Sequence, residues 1–232
     1  MSSQIKLSGK EIRENFKQNG EPDYYVRKGN RIFIFESKDI MLNAEIKSSF
    51  DYDRIEAALR DILEESNGKP KAVKQIVSQI RNILTMKNTF DDKYSPDIVS
   101  IYPVLVILDR VFNTPGLNKI VNDWFQSHLS VLKNEGLSVS NVKQLIIIDI
   151  DSLIYHLDLF HKRGIELGNI IDKYLKYINK LGNVKIVNQA HLTKLYGESF
   201  DPFSVFISNF VKRKFKKYYP NLLLEQVNKL LN

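Results

Sequence analysis

The sequence predicts an α/β fold, and three stretches predict it. Residues 23–35 fill two short arms with aromatic and β-branched side chains around Lys28-Gly29-Asn30, the pattern of a β-hairpin. Residues 70–87 set Val73, Ile76, Val77, Ile80, Ile83 and Leu84 on one helical stripe. Residues 104–108 and 145–150 are short apolar, β-branched runs of the kind that forms buried strands. Strands alternating with helices in this order build a sheet covered by helices.

In chain order, residues 1–20 are short and polar. Ile12 and Phe16 stand four apart, enough for one or two helical turns, and Ser8 with Glu11 has the capping-box spacing. In the hairpin, residues 23–27 form the first arm and 31–35 return. The returning arm is apolar on both faces and reads as a central strand. Residues 40–50 are irregular. Residues 52–65 read as a helix with Ile55, Ala58, Leu59, Ile62 and Leu63 on one face, ended by Ser66-Asn67-Gly68. Tyr102-Pro103 breaks the run 98–108, leaving 104–108 as a strand parallel to the returning arm through a crossover. A helix over 117–132 and a strand over 145–150 follow. Asp149 and Asp151 lie where acids can hold a metal, but Asp151 before Ser152-Leu153-Ile154 reads as an N-cap. The remainder is mainly helical: 165–181, a stripe of Phe203, Phe206, Ile207, Phe210 and Val211, and a leucine-rich helix after Pro220. The organisation expected is a core over 1–150, with a helical insertion near 52–65, and a helical extension over 151–232.

Composition narrows the chemistry. The 232 residues contain no cysteine, which excludes thiol catalysis, disulfides and thiolate zinc sites and fits a cytoplasmic protein. No signal peptide and no bilayer-length apolar run are present, so no membrane partner is expected. The net charge of +7 favours a polyanionic partner. No glycine-rich nucleotide-binding loop occurs, and His128, His156, His161 and His191 lack metal-ligand spacing with a second ligand.

The hairpin carries an anomaly. Its returning arm runs into Glu36-Ser37-Lys38, and residues two apart on a strand share a face, so Glu36 and Lys38 continue the face of Ile32 and Ile34. Opposite charges at the end of a buried strand call for pairing or ligation, because burying charge is costly. Asp23, after Pro22, begins the neighbouring arm, and a short hairpin brings its start beside its partner's end. Asp23, Glu36 and Lys38 can therefore converge. A second E-x-K at Glu45-Ile46-Lys47 and a second Pro96-Asp97 lack this context.

Pro22-Asp23 and Glu36-Ser37-Lys38 resemble the motif of the PD-(D/E)xK, or restriction-endonuclease-like, nuclease superfamily. The resemblance implies a core with a mixed β-sheet flanked by helices and a magnesium- or manganese-dependent nuclease, acting most plausibly on DNA. Asp23 and Glu36 then supply hard carboxylate ligands for Mg²⁺ or Mn²⁺, and the Ser37 main-chain carbonyl a third. Lys38 orients water and offsets charge at phosphorus. Members of the superfamily often add an acid from the helix before the hairpin, a part open to Glu11 or Glu14. A Lys or Gln from the crossover helix often reaches the site or a phosphate, which makes Lys74, Gln75 and Gln79 candidates. The core usually opens with a helix and a further strand, and the short lead-in leaves one of them expected missing. That shortness also fits a module attached to a larger protein; a homodimer is the other assembly considered. Such modules often serve genome defence.

Lys212, Arg213, Lys214, Lys216 and Lys217 flank the last aromatic stripe and either contact a nucleic-acid backbone or form a solvated helix face. Two other functions fit the sequence: a catalytically inactive nucleic-acid-binding or assembly domain on the same fold, and a protein-binding domain with no nucleic-acid role.

Overall fold

A computed structural model describes residues 4–108, 112–161, 163–215 and 218–231. Its elements are β1 (Gln4–Ser8), α1 (Gly9–Phe16), β2 (Tyr24–Lys28), β3 (Arg31–Lys38), α2 (Ala44–Lys47), α3 (Tyr52–Leu63), β4 (Glu65–Ser66), β5 (Lys69–Pro70), α4 (Ala72–Leu84), β6 (Ser100–Ile107), α5 (Leu117–Asn134), β7 (Ile146–Asp149), α6 (Ile150–Tyr155), α7 (Leu157–His161), α8 (Leu167–Ile178), α9 (Gln189–Glu198), α10 (Phe203–Lys214) and α11 (Asn221–Leu231). The fold is α/β, a five-stranded mixed sheet flanked by helices, ordered β1-β2-β3-β6-β7. No helix among the described residues is long and apolar enough to cross a membrane.

By its contacts the chain divides into two units, Met1–Ile107 with Ile120–Ile146, and Leu108–Lys119 with Ile147–Asn232. In the first, β3 is central, antiparallel to β2 and parallel to β6. Gly29, at φ 57°, takes the left-handed conformation that the tight turn between Lys28 and Arg31 requires. One face of β3 buries Ile32 and Ile34 where α4 packs with Val73, Ile76, Ile80 and Ile83. Each such side chain contributes roughly 1.5–3 kcal/mol when fully buried.

Several elements differ from expectation. The polar lead-in supplies both a strand and a helix, so neither expected element is missing. β1 pairs antiparallel with β2 from Gln4↔Lys28 to Ser8↔Tyr24, and the capping box of Ser8 and Glu11 starts α1. A five-residue strand such as Gln4–Ser8 is too short to announce itself, and backbone pairing with β2 decides it. The segment 40–50 contains α2, capped by Asn43. The stop at 66–68 is the turn of a minimal hairpin: Asn67 and Gly68, at φ 49° and 71°, join β4 to β5.

Pro103 lies inside β6 rather than before it. The Ile101 N–H donates to the Asn141 carbonyl (3.0 Å) and the Ile101 carbonyl accepts from Lys143 N–H (2.9 Å), so Ile101 turns its backbone groups away from β3. Pro103, two residues on, turns the same way, and its missing N–H takes nothing from the β3–β6 ladder. Asp149, not Asp151, caps α6: its carboxylate accepts from Ser152 N–H (2.9 Å) and Ser152 Oγ (2.7 Å). The strand ends one residue earlier than the apolar run suggests, and the cap moves with it.

The hairpin is fastened from below by a buried ion pair. Arg27, 1% exposed, donates through Nε and Nη2 to Asp91 (2.6 and 3.0 Å), and Tyr25 Oη donates to the same carboxylate (2.7 Å). In the second unit α8 and α10 pack through Tyr174, Phe203 and Phe206, and Tyr174 Oη donates to the Asp201 carbonyl (2.9 Å).

Removing one partner of a buried pair leaves a desolvated charge, so Asp91→Ala is expected to lower stability by about 3–5 kcal/mol. Urea unfolding of the variant checks this, and a variant as stable as the parent would show that the pair is not what fastens the hairpin.

Candidate active site

The geometry of the site follows from hairpin register. Tyr24 stands opposite Phe35, so one step further Asp23 stands opposite Glu36. Directly opposed residues of an antiparallel pair project to the same face. Asp23 Oδ2 accepts the Ser37 N–H at 2.7 Å, which ties the first acid to the motif strand. A strand residue turns its N–H and C=O to the same neighbour. The Ser37 carbonyl therefore faces the side on which Asp23 lies, just beyond the last β2–β3 pair.

A close approach holds Asp23 there. The Gly9 N–H donates to the Asp23 carbonyl at 2.8 Å, and a Cβ on Gly9 would stand 2.7 Å from the Pro22 carbonyl oxygen. Only glycine lets the start of α1 sit this near Pro22-Asp23. Nothing in the sequence reading singles out Gly9; the signal available is its place between a capping serine and the first turn of a helix.

Glu36 is 4% exposed and Lys38 is half-buried. Lys38 Nζ donates to Glu36 Oε1 at 2.6 Å. From α4, Gln79 Nε2 reaches Glu36 Oε2 at 3.4 Å. Burial holds the Glu36 carboxyl above its ordinary value of 4.5; Lys38 opposes that shift, Asp23 adds to it, and Gln79 opposes it.

The other candidates separate. Gln75 and Gln79, four apart, share one flank of α4, and Gln79 reaches Glu36 on β3. Oε1 of each is buried with no hydrogen-bond partner among the described residues. Lys74 pairs instead with Glu65. Glu11 is spent on its cap: its Oε2 accepts from Ser8 N–H (2.8 Å) and Ser8 Oγ (2.7 Å). Glu14 is exposed and lies 3.9 Å from Lys10 Nζ. Among the described residues no three His, Cys, Asp or Glu side chains converge as a metal site. The second E-x-K, Glu45 to Lys47, lies on the short α2 and not on a strand. Lys212, Arg213 and Lys214 occupy the last turn of α10 in the second unit, exposed; Lys216 and Lys217 lie outside the described residues.

The donors present suit a hard cation: two carboxylates, the Ser37 carbonyl, and the buried, unsatisfied amide oxygen of Gln79 on a side chain whose other end reaches Glu36.

Two outcomes follow. A carboxyl whose folded pKa lies above its unfolded value costs stability once the pH rises through that interval. Glu36→Gln should therefore raise the thermal midpoint at pH 7–8, the gain shrinking as pH falls toward the ordinary value of 4.5, when measured without metal. Gly9→Ala should lower stability by about 1–3 kcal/mol through overpacking, and should weaken Mn²⁺ binding by displacing Asp23. Calorimetric titration with Mn²⁺ reads the second effect, and unchanged affinity would dissociate Gly9 from the site.

No protein-family model matches this chain and no characterised protein matches it in sequence, so its chemistry has to be read from these residues.

Proposed function

We propose that this chain is a metal-dependent nuclease of the PD-(D/E)xK kind, hydrolysing phosphodiester bonds in DNA. The observations that carry the reading are the bond from the Ser37 N–H to Asp23, which ties the first acid to the motif strand, and the bond from Lys38 to Glu36 on that strand. Three antiparallel strands, helix α4 and the parallel strand β6 support the reading, since a restriction-endonuclease-like core would use elements of these kinds. The lead-in runs strand then helix, where the superfamily usually opens with the helix.

The residues divide the work. Asp23, Glu36 and the Ser37 carbonyl would hold Mg²⁺ or Mn²⁺, which when bound polarises a phosphate oxygen and lowers the pKa of a water. The Ser37 N–H fixes the rotamer of Asp23 and leaves its second oxygen for a ligand. Gln79 holds Glu36 from the α4 side. Lys38, half-buried and bonded to Glu36, keeps its ammonium beside the carboxylate, where it can orient water and stabilise charge developing on the phosphate.

Purified protein incubated with supercoiled plasmid should nick or linearise it with Mg²⁺ or Mn²⁺ and leave it intact with EDTA. Asp23→Ala and Glu36→Ala should each abolish cleavage and weaken Mn²⁺ binding. Lys38→Ala should abolish cleavage while Mn²⁺ affinity holds or rises, because the variant deletes a positive charge beside the site. An intact plasmid in every metal, with the parent still binding nucleic acid, would favour the inactive binding domain instead. Cleavage by all three variants at the parent rate would sink the assignment.

A further inference from the structure

The second unit presents chemistry that cleavage does not use. Residues 206, 209, 210 and 213 share one side of α10 at helical spacing, and 208, 211 and 212 share the opposite side. Each side opens on a cavity lined by aromatic rings. The first, of about 240 Å³, is lined by Tyr177, Phe206 and Phe210 together with Arg213 and Lys214. The second, of about 410 Å³, is lined by Tyr155, His156, Phe215 and Tyr218 together with Lys212.

The rings and cations are already interleaved. Lys214 Nζ lies 5.6 Å from the Phe210 ring and 5.7 Å from the Phe215 ring, and the Arg163 guanidinium lies 4.0 Å from Phe215. Tyr155, His156 and Tyr218 form a cluster with centroids 5.0–6.1 Å apart, and Tyr155 is 46% exposed. His156, in the lining of the larger cavity, is 3% exposed, and its Nδ1 has no hydrogen-bond partner among the described residues. Burial lowers its pKa to about 4, so the ring is neutral at pH 7 and has hydrogen-bonding capacity left over.

We propose that the last turn of α10 and its two ring-lined cavities form a platform for single-stranded nucleic acid, with phosphates on Lys212, Arg213 and Lys214 and unpaired bases against the rings. The cations alone would serve any polyanion. The rings decide the form of the partner: a duplex hides its base faces in the stack, whereas unpaired bases present them to aromatic side chains. The cavities recess those rings between cations, which fits flat bases hung from a charged backbone. The inference deepens the nuclease reading by naming the form of nucleic acid bound, while its observations belong to the second unit alone.

The test is fluorescence anisotropy in EDTA, so that binding is read apart from cleavage. The probes are a labelled oligothymidylate, its RNA counterpart, an abasic oligonucleotide of equal length and a duplex. The expected result is at least tenfold tighter binding of the base-bearing single strands than of the abasic strand and the duplex. Tyr155→Ala, at a ring that is 46% exposed, should weaken single-strand binding roughly fivefold or more, within the range measured for loss of one stacked base. A triple Lys212→Ala, Arg213→Ala, Lys214→Ala variant should weaken binding of every oligonucleotide and flatten its salt dependence. Circular-dichroism melting checks that each variant is folded. Equal affinity for duplex and single strand, or for abasic and base-bearing strands, would overturn the proposal. So would binding to phosphatidylserine vesicles without binding to any oligonucleotide. Single-strand binding without cleavage in Mg²⁺ or Mn²⁺ would leave the platform standing and sink the nuclease reading; cleavage without preferential single-strand binding would do the reverse.

Discussion

The pairing of Tyr24 with Phe35 determines where every charged group of the candidate site falls. Side chains on a strand alternate between faces, so a slip of one residue would send Glu36 and Lys38 to the opposite face and part them from both Asp23 and Gln79. The turn at Gly29 sets that register from one end, and the contact of Gly9 with Pro22-Asp23 guards it from the other. Between them, Arg27 and Tyr25 anchor β2 on Asp91. The site is the open end of a hairpin whose register is fixed at its turn, in its middle and at its mouth.

Two buried carboxylates in the first unit show how differently the same group is treated. Asp91 receives an arginine in two hydrogen bonds and a tyrosine hydroxyl, a satisfied arrangement that contributes to the fold. Glu36 receives one lysine and one long contact from an amide, and burial still holds its pKa up. Glu36 is thus the less firmly held of the two, with one short bond and one long one. Gln79 belongs with it, since its own oxygen is left over.

Much of the first unit was legible from local pattern. The hairpin, its turn and the α4 stripe announce themselves through periods of two and 3.6, and the motif letters stand out because charge at the end of an apolar strand is anomalous. The capping box was equally legible, and in the structure Glu11 Oε2 accepts from both the Ser8 N–H and the Ser8 hydroxyl. What escaped were features with no periodic signature. β1 is a strand only because β2 offers it a ladder, and Pro103 sits in a central strand only because its nitrogen faces away from β3. Asp149 takes the cap expected of Asp151 because the strand stops one residue sooner.

The sequence by itself determined the α/β class, the hairpin and the three charged residues at its open end, because each depends on neighbours within a few positions. Tertiary structure alone decided that Gln79 rather than Lys74 reaches Glu36, that Asp91 answers Arg27, that Gly9 must remain glycine, and that the rings around α10 enclose two cavities. The physical reason is the same in each case: these are contacts between residues far apart in the chain or on a helix side chosen by packing, and their existence depends on distances that no local period encodes.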